Sequence, residues 1–223
     1  MIEQGTTIAV IGGTGREGSG LSLRWARAGL DVIIGSRRLE KAERVATELN
    51  ETLGQELIRG LANRDAAQAG DIVVLSVPYA AHRAILEDIQ PALPGKVLID
   101  VTAPIDPKNP GRVRLLEAGS AAVEAQQFLG DQVTVVAAFQ NIAAGHLRNL
   151  DHDIDSDVLV CGDDPDAKRL AVQLAEKAGM DALDAGPLIN ASIVEGLTAV
   201  LVGLNKRYKS KGTGIRITGI SRQ

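Results

Sequence analysis

The chain has 223 residues, 45% of them apolar, enough for one large domain or one domain with a small appendix. Its net charge of −4, from 24 Lys and Arg against 28 Asp and Glu, argues against nucleic acid as the main partner. The single cysteine, Cys161, excludes an internal disulfide framework and points to a reducing compartment, the cytoplasm.

The first residues carry no basic n-region and no apolar h-region, so no secretory signal is expected. No apolar run approaches the roughly 20 residues of a membrane helix. The longest stretch, 193–204, is interrupted by Glu195 and by small or polar residues. The five aromatics are Trp25, Tyr79, Tyr208, Phe128 and Phe139. Val, Ile, Leu and Ala must therefore fill the core, which suits parallel strands covered by helices on both faces.

In chain order, the continuous apolar run 7–11 predicts a buried strand. A glycine-rich turn follows, then a helix over 16–28 closed by Gly29. Residues 31–35 read as the second strand and 39–53 as an amphipathic helix. A short helix is expected over 63–69, a strand over 71–77 ending at Pro78, a helix over 80–92 and a strand over 96–101. Strands alternating with such helices imply βαβ units with right-handed crossovers. The loop 102–111 carries three prolines. A helix over 118–129 and a strand over 132–138 come next. The polar stretch 145–157 suggests a boundary between a dinucleotide-binding domain, 1–148, and a small C-terminal domain, 149–223. The latter reads as a strand over 158–161, a helix over 166–178, a strand over 181–185, a helix over 190–208 and a final strand over 214–218. The fold class is α/β: a Rossmann-type doubly wound parallel sheet with a small C-terminal α/β extension.

Gly13-Thr14-Gly15-Arg16-Glu17-Gly18 matches Gly-x-Gly-x-x-Gly in the required context, directly after a strand and opening a helix. Gly13 would permit the tight turn, Gly15 the approach of a pyrophosphate, and Gly18 close packing of helix on strand. The helix N-terminus supplies free N–H groups and partial positive charge. All six positions are candidate cofactor contacts. An NAD site places an acid at the end of the second strand for the ribose 2′-OH. Here the strand ends Gly35-Ser36-Arg37-Arg38, with Lys41 one turn on. Guanidinium groups bind phosphate bidentately, and cations in a helix's first turn oppose its dipole unless an anion relieves them. Ser36, Arg37, Arg38 and Lys41 therefore indicate NADP(H).

No metal-like spacing links His82, His146 or His152 to Cys161, and no Ser/His/Asp order stands out. No metal and no catalytic acid, base or nucleophile are expected; hydride transfer proceeds by proximity and orientation. Cys161 reads as a core residue, and Asp163 and Asp164 as caps of the following helix. Asp100 to Pro104 ends a strand at the carboxyl edge, where ligands bind in this fold, which makes Thr102 a candidate contact. The apolar circumference of the last helix suggests a dimer interface, and Lys206 to Lys211 is strongly basic.

The opening Ile11-Gly12-Gly13-Thr14-Gly15-x-x-Gly18 resembles that of the NADPH:F420 oxidoreductases, which exchange hydride between NADP and the deazaflavin coenzyme F420. The resemblance continues at Gly35-Ser36-Arg37-Arg38 with Lys41-Ala42-Glu43, at Asn149-Leu150-Asp151 and at Val160-Cys161-Gly162-Asp163-Asp164. It extends through Asp184-Ala185-Gly186-Pro187-Leu188 and Val194-Glu195-x-Leu197-Thr198, covering nearly the whole chain. It implies direct hydride transfer without bound flavin or metal, F420 as co-substrate, and a homodimer formed through the C-terminal region. It implies that Thr14, Ser36, Arg37 and Lys41 hold the NADP phosphates and that Val77 and Pro78 flank the nicotinamide. Ala138 joins the cofactor contacts. Ile142 would press nicotinamide against deazaflavin, and Thr198 would touch the deazaflavin ring. Where the family usually has His-Thr-Ile-Pro, this chain has Gln140-Asn141-Ile142-Ala143; where Ser commonly precedes Leu-Thr, it has Gly196. Gln140 and Asn141 can still donate to ring carbonyls. The residues leave open reduction of another acceptor (flavin, quinone or ferric chelate) and a non-catalytic NADP(H) sensor.

Overall fold

Strand β1 (Thr7–Ile11) is buried from Ile8 onward and pairs on both sides in parallel, with β2 (Asp31–Ser36) and β4 (Ile72–Leu75). The computed structural model describes Ile2 and residues 5–220. Beyond β2 lies β3 (Ile58–Ala62); beyond β4 follow β5 (Val97–Asp100), β6 (Thr134–Ala137), β7 (Val158–Gly162) and β8 (Ala182–Asp184). The order β3-β2-β1-β4-β5-β6-β7-β8 opens with the six-strand arrangement of a doubly wound dinucleotide fold. Its switch point lies between β1 and β4. The expected parallel sheet with a C-terminal extension is thus observed. β7 runs antiparallel to β6, and β8 returns parallel to β7.

Period-two alternation along the strands divides the core between the two faces. Ile8, Val10, Ile34 and Val74 face α1 (Arg16–Arg27), α2 (Leu39–Leu53) and α7 (Pro165–Lys177) through Leu21, Trp25, Val45 and Leu174. Ile11, Ile33, Val73 and Leu75 face α3 (Asn63–Ala69), α4 (Tyr79–Ile89), α5 (Ala121–Leu129) and α8 (Ala191–Tyr208) through Ala66, Leu86, Ala125 and Val194. Val158, Val160 and Leu174 share one apolar cluster with Ile8 and Trp25, so the C-terminal elements extend the first core. Gly29, at φ 83°, closes α1 as expected.

Two long side chains bind α1 to the C-terminal half. Trp25 donates its indole N–H to the Leu174 carbonyl at 2.7 Å. Arg24, 8% exposed, donates to the carbonyls of Leu147, Ala178, Asn149 and His152 at 2.9–3.0 Å and of His146 at 3.3 Å. The guanidinium thereby fixes the turn that follows α6 (Ala144–Leu147).

Four expectations are corrected. Ile58–Ala62 is a strand that the sequence reading lacks; it is an edge strand whose Arg59 and Gly60 break any apolar pattern. Residues 214–218 form no strand, because side chains take the partner positions of a ladder: Ile215 N donates to Ser156 Oγ and Ile217 N to Asp157 Oδ2. Helix α5 begins at Ala121 rather than 118, where Ser120 caps it by accepting from Val123 N. A 3-10 turn at Leu188–Asn190 runs directly into α8, giving a 21-residue helical run, Leu188–Tyr208, long and apolar enough to cross a membrane. Leu188, Ala191 and Val194 of that run lie in the second core, and it carries the buried Glu195.

Candidate active site

The carboxyl ends of β1 and β2 open onto a cleft of about 540 Å³. Gly12, Thr14 and Gly15 line one part; Ser36, Arg37, Arg38, Lys41 and Asn63 line another; Ser76, Val77, Pro78, Ala81 and Ile85 complete it. Residues separate in sequence, the glycine turn and the cations past β2, thus share one cavity. The turn is tight at Gly12, whose φ of 78° suits glycine and whose added Cβ would stand 2.3 Å from the Ser76 carbonyl oxygen. The expectation that Gly13 makes the turn is corrected: Gly13 lacks a Cβ because Ile34 occupies the space, 2.7 Å away. Gly15, exposed, would meet only Gly12 O at 3.3 Å, leaving open the side by which a ligand approaches. Gly18 packs against Gly13, its added Cβ falling 2.9 Å from Gly13 Cα.

Arg16 and Glu17 do not line this cleft. Burial pushes the Glu17 carboxyl up to about 8, and its Oε1 has no partner. Glu17 is therefore neutral at pH 7 and leaves the positive end of α1 uncompensated. Ser36 is buried and accepts from Arg38 N at 3.2 Å, while Arg37 and Arg38 are exposed. Among the described residues, none of Arg37, Arg38 and Lys41 forms an ion pair.

The acceptor-side candidates gather where β5 and β6 end. Asp100 is fully buried and accepts from Thr102 N at 2.9 Å through Oδ1. Its backbone oxygen accepts from Ala138 N at 3.2 Å and from Gln140 Nε2 at 2.7 Å. Phe139 turns the chain between them at φ 74°, a costly conformation of about 1–3 kcal/mol for a bulky residue. Its ring is fully buried against Trp25. The Gln140 and Asn141 amides each donate one bond to a backbone carbonyl, Gln140 to Asp100 O and Asn141 to Asp157 O at 2.7 Å. Thr198 likewise donates to Gln140 O at 2.7 Å. Ile142, 6% exposed, packs in the first core.

Four buried oxygens have no partner near this edge besides that of Glu17: Asn63 Oδ1, Thr102 Oγ1, Gln140 Oε1 and Asn141 Oδ1. Buried acceptors left unpaired are costly, and each of these stands in a segment at the strands' carboxyl ends.

Residues 7–104 match the family described as NADP oxidoreductase, coenzyme F420-dependent. The chain is 42% identical over 221 residues to the F420-dependent NADP reductase of Methanocaldococcus jannaschii, covering 96% of this chain and 98% of that one. It is 46% identical over 223 residues to that of Methanothermobacter thermautotrophicus, covering 97% and 96%. The chain belongs to the F420-dependent NADP reductase family. A crystal structure from Arthrobacter sp. FB24, provisionally assigned as an F420-dependent NADP-reductase, superposes with TM-score 0.81 at 25% identity, covering 96% of this chain and all of that one. The resemblance read from the motifs therefore holds.

Sequence reasoning about this reductase missed Gly12, Asn63 and the partner of His82. His82 is 2% exposed and its Nε2 lies 2.6 Å from Asp100 Oδ2. Glu195, also 2% exposed, accepts from Ala121 N and Ala122 N at 2.8 and 3.0 Å; burial pushes it up to about 8 despite those bonds. Only an unusual pairing of buried acids with a histidine after Pro78 could have hinted at this cluster. Of the two expected caps, Asp164 caps α7 through Ala167 N at 2.8 Å, whereas Asp163 accepts from Leu188 N at 2.9 Å; Cys161 is, as expected, a buried thiol, which burial raises to about 11.

Proposed function

We propose that this chain transfers hydride between NADP(H) and the deazaflavin coenzyme F420 as an oxidoreductase without a catalytic acid, base or metal. The observation that carries the reading is the single cleft joining the glycine turn to Ser36, Arg37, Arg38 and Lys41, cations without carboxylate partners among the described residues. Family membership supports the same pair of coenzymes. The residues fit: Gly15 offers open backbone, and the orphaned oxygens of Asn63, Thr102, Gln140 and Asn141 await donors.

Bound NADP(H) and F420 supply the redox chemistry; the protein binds, orients and excludes water. Thr14 and Gly15, with the N-terminus of α1, cradle the pyrophosphate. Ser36, Arg37, Arg38 and Lys41 hold the ribose 2′-phosphate. Val77 and Pro78 form one wall for the nicotinamide, near Thr102 and Ala138. Ile142, Gln140, Asn141 and Thr198 would frame the acceptor side. Residues 1–148 carry the NADP half, and 149–223 complete the deazaflavin side and the contact between subunits. That contact uses the outer face of α8, where Ile193 is 70% and Val200 46% exposed, seven residues apart on one stripe. We place the enzyme in the cytoplasm as a homodimer that needs neither membrane nor nucleic acid.

Mixing protein, NADPH and oxidised F420 should bleach the deazaflavin absorbance, with NADH far less effective. Turnover with flavin, quinone or ferric acceptors but not F420 would replace this reading, as would binding of NADPH without turnover.

A further inference from the structure

The buried titratable groups outside the phosphate cleft centre on Asp100. Its Oδ1 accepts from Thr102 N, its Oδ2 meets His82 Nε2, and its backbone oxygen receives Ala138 N and the Gln140 amide. Gln140 in turn accepts the Thr198 hydroxyl. One residue at the end of β5 thus touches the nicotinamide-side candidates directly and the acceptor-side candidates through Gln140. A fully buried carboxylate needs a counter-charge and full hydrogen bonding. His82 is the imidazole in contact with it, with side-chain exposures of 3% and 0% for the pair.

We propose that His82 and Asp100 are positioning residues for the hydride transfer: their buried pair fixes Asp100, whose carboxylate holds the Thr102 loop and whose backbone oxygen holds the Gln140–Thr198 frame. The inference rests on the functional reading above. The groups facing His82 come from four elements and one loop. Asp100 stands on β5, Glu195 on α8, Glu124 on α5 and Tyr79 on α4, its ring stacked 6.1 Å from that of His82. Arg114, from the loop before α5, covers Tyr79 at 4.9 Å, and Tyr79 donates to Glu124 at 2.9 Å. Burial pulls the His82 imidazolium down, but the charge and hydrogen bond of Asp100, then Glu195 and Glu124, leave it above its ordinary 6.5. A group raised on folding contributes fully below its unfolded value, and its contribution fades as pH rises through the folded one. The frame therefore loosens on the alkaline side.

Two readouts test this. In wild-type protein, the His82 ring resonances followed by NMR should titrate with a midpoint above 6.5. In His82→Gln, which keeps a neutral donor, kcat for F420 reduction should fall on the order of tenfold to a hundredfold. The NADPH Kd should stay within about twofold, since the phosphate grip is elsewhere. The alkaline decline of kcat expected of wild type should disappear. Asp100→Asn should reproduce the kcat loss; if it does not fold, the NMR titration and His82→Gln decide alone. A neutral His82 at pH 6, or a folded His82→Gln with wild-type kcat and pH profile, overturns the proposal. A wild type that binds NADPH but never reduces F420 overturns the functional reading instead, and the His82 titration still decides the pair.

Discussion

Phe139 meets Trp25 edge to face, with ring centroids 5.8 Å apart and planes at 80°. This contact holds a non-glycine residue at positive φ and so sets where the chain leaves β6 toward Gln140. Phe139→Ala removes a fully buried ring and should cost about 3–5 kcal/mol, read as a lower midpoint in urea. The F420 KM should rise more than the NADPH KM, because the displaced segment frames the acceptor. A variant as stable as wild type would show that Phe139 does not anchor the turn.

The two glycines of the phosphate turn should respond differently. Gly12→Ala needs positive φ and drives a Cβ into the Ser76 carbonyl, so Tm should fall sharply. Gly15→Ala meets only one atom at 3.3 Å, so Tm should stay within a few degrees. NADPH binding to Gly15→Ala should nevertheless weaken at least about tenfold, because the methyl stands where pyrophosphate approaches. Calorimetry and titration on the two proteins separate fold from ligand.

Arg37→Ala should raise the NADPH Kd by about 10- to 100-fold, the loss of a charge-assisted contact of roughly 1.5–3 kcal/mol. NADH, lacking the 2′-phosphate, should change less than about twofold. The preference should also shrink with added salt, since the site is open to solvent. An equal effect on both coenzymes would remove Arg37 from the 2′-phosphate site.

Glu17 should make the protein weaker as pH rises. Burial raises its folded value to about 8, so between its unfolded 4.5 and 8 the unfolded chain has lost a proton that the folded chain keeps. Stability then falls across that window and levels above it. Glu17→Gln should raise Tm at pH 8 by roughly 5 °C and leave it unchanged at pH 4. Equal shifts at both pH values would mean that the side chain acts through packing rather than charge.

The parts legible in the sequence are those that local chemistry dictates. The run Thr7–Ile11, the glycines after it and the cations after β2, ending at Lys41, announce a dinucleotide site by spacing alone. Ile58–Ala62 escaped notice because an edge strand owes its place to the backbone of β2, not to a pattern of its own. β7 starts at the edge where β6 ends and so runs back antiparallel to it, a direction that no residue of Val158–Gly162 encodes. The amides of Gln140 and Asn141 read as free donors because their partners, Asp100 O and Asp157 O, lie 40 and 16 residues away. The His82 contact, 18 residues from Asp100, joins an early helical turn to a strand end and follows only from how β4 and β5 pair.

The Arg24 guanidinium grips the turn after α6 wholly through main-chain oxygens. The path of that turn is therefore drawn from beneath, with Leu147 filling the core and Asn149 Oδ1 accepting from Asp151 N. The exposed Arg148 at its surface is the position open to rewriting, to carry a label or a new recognition group, so long as the arginine beneath is left alone.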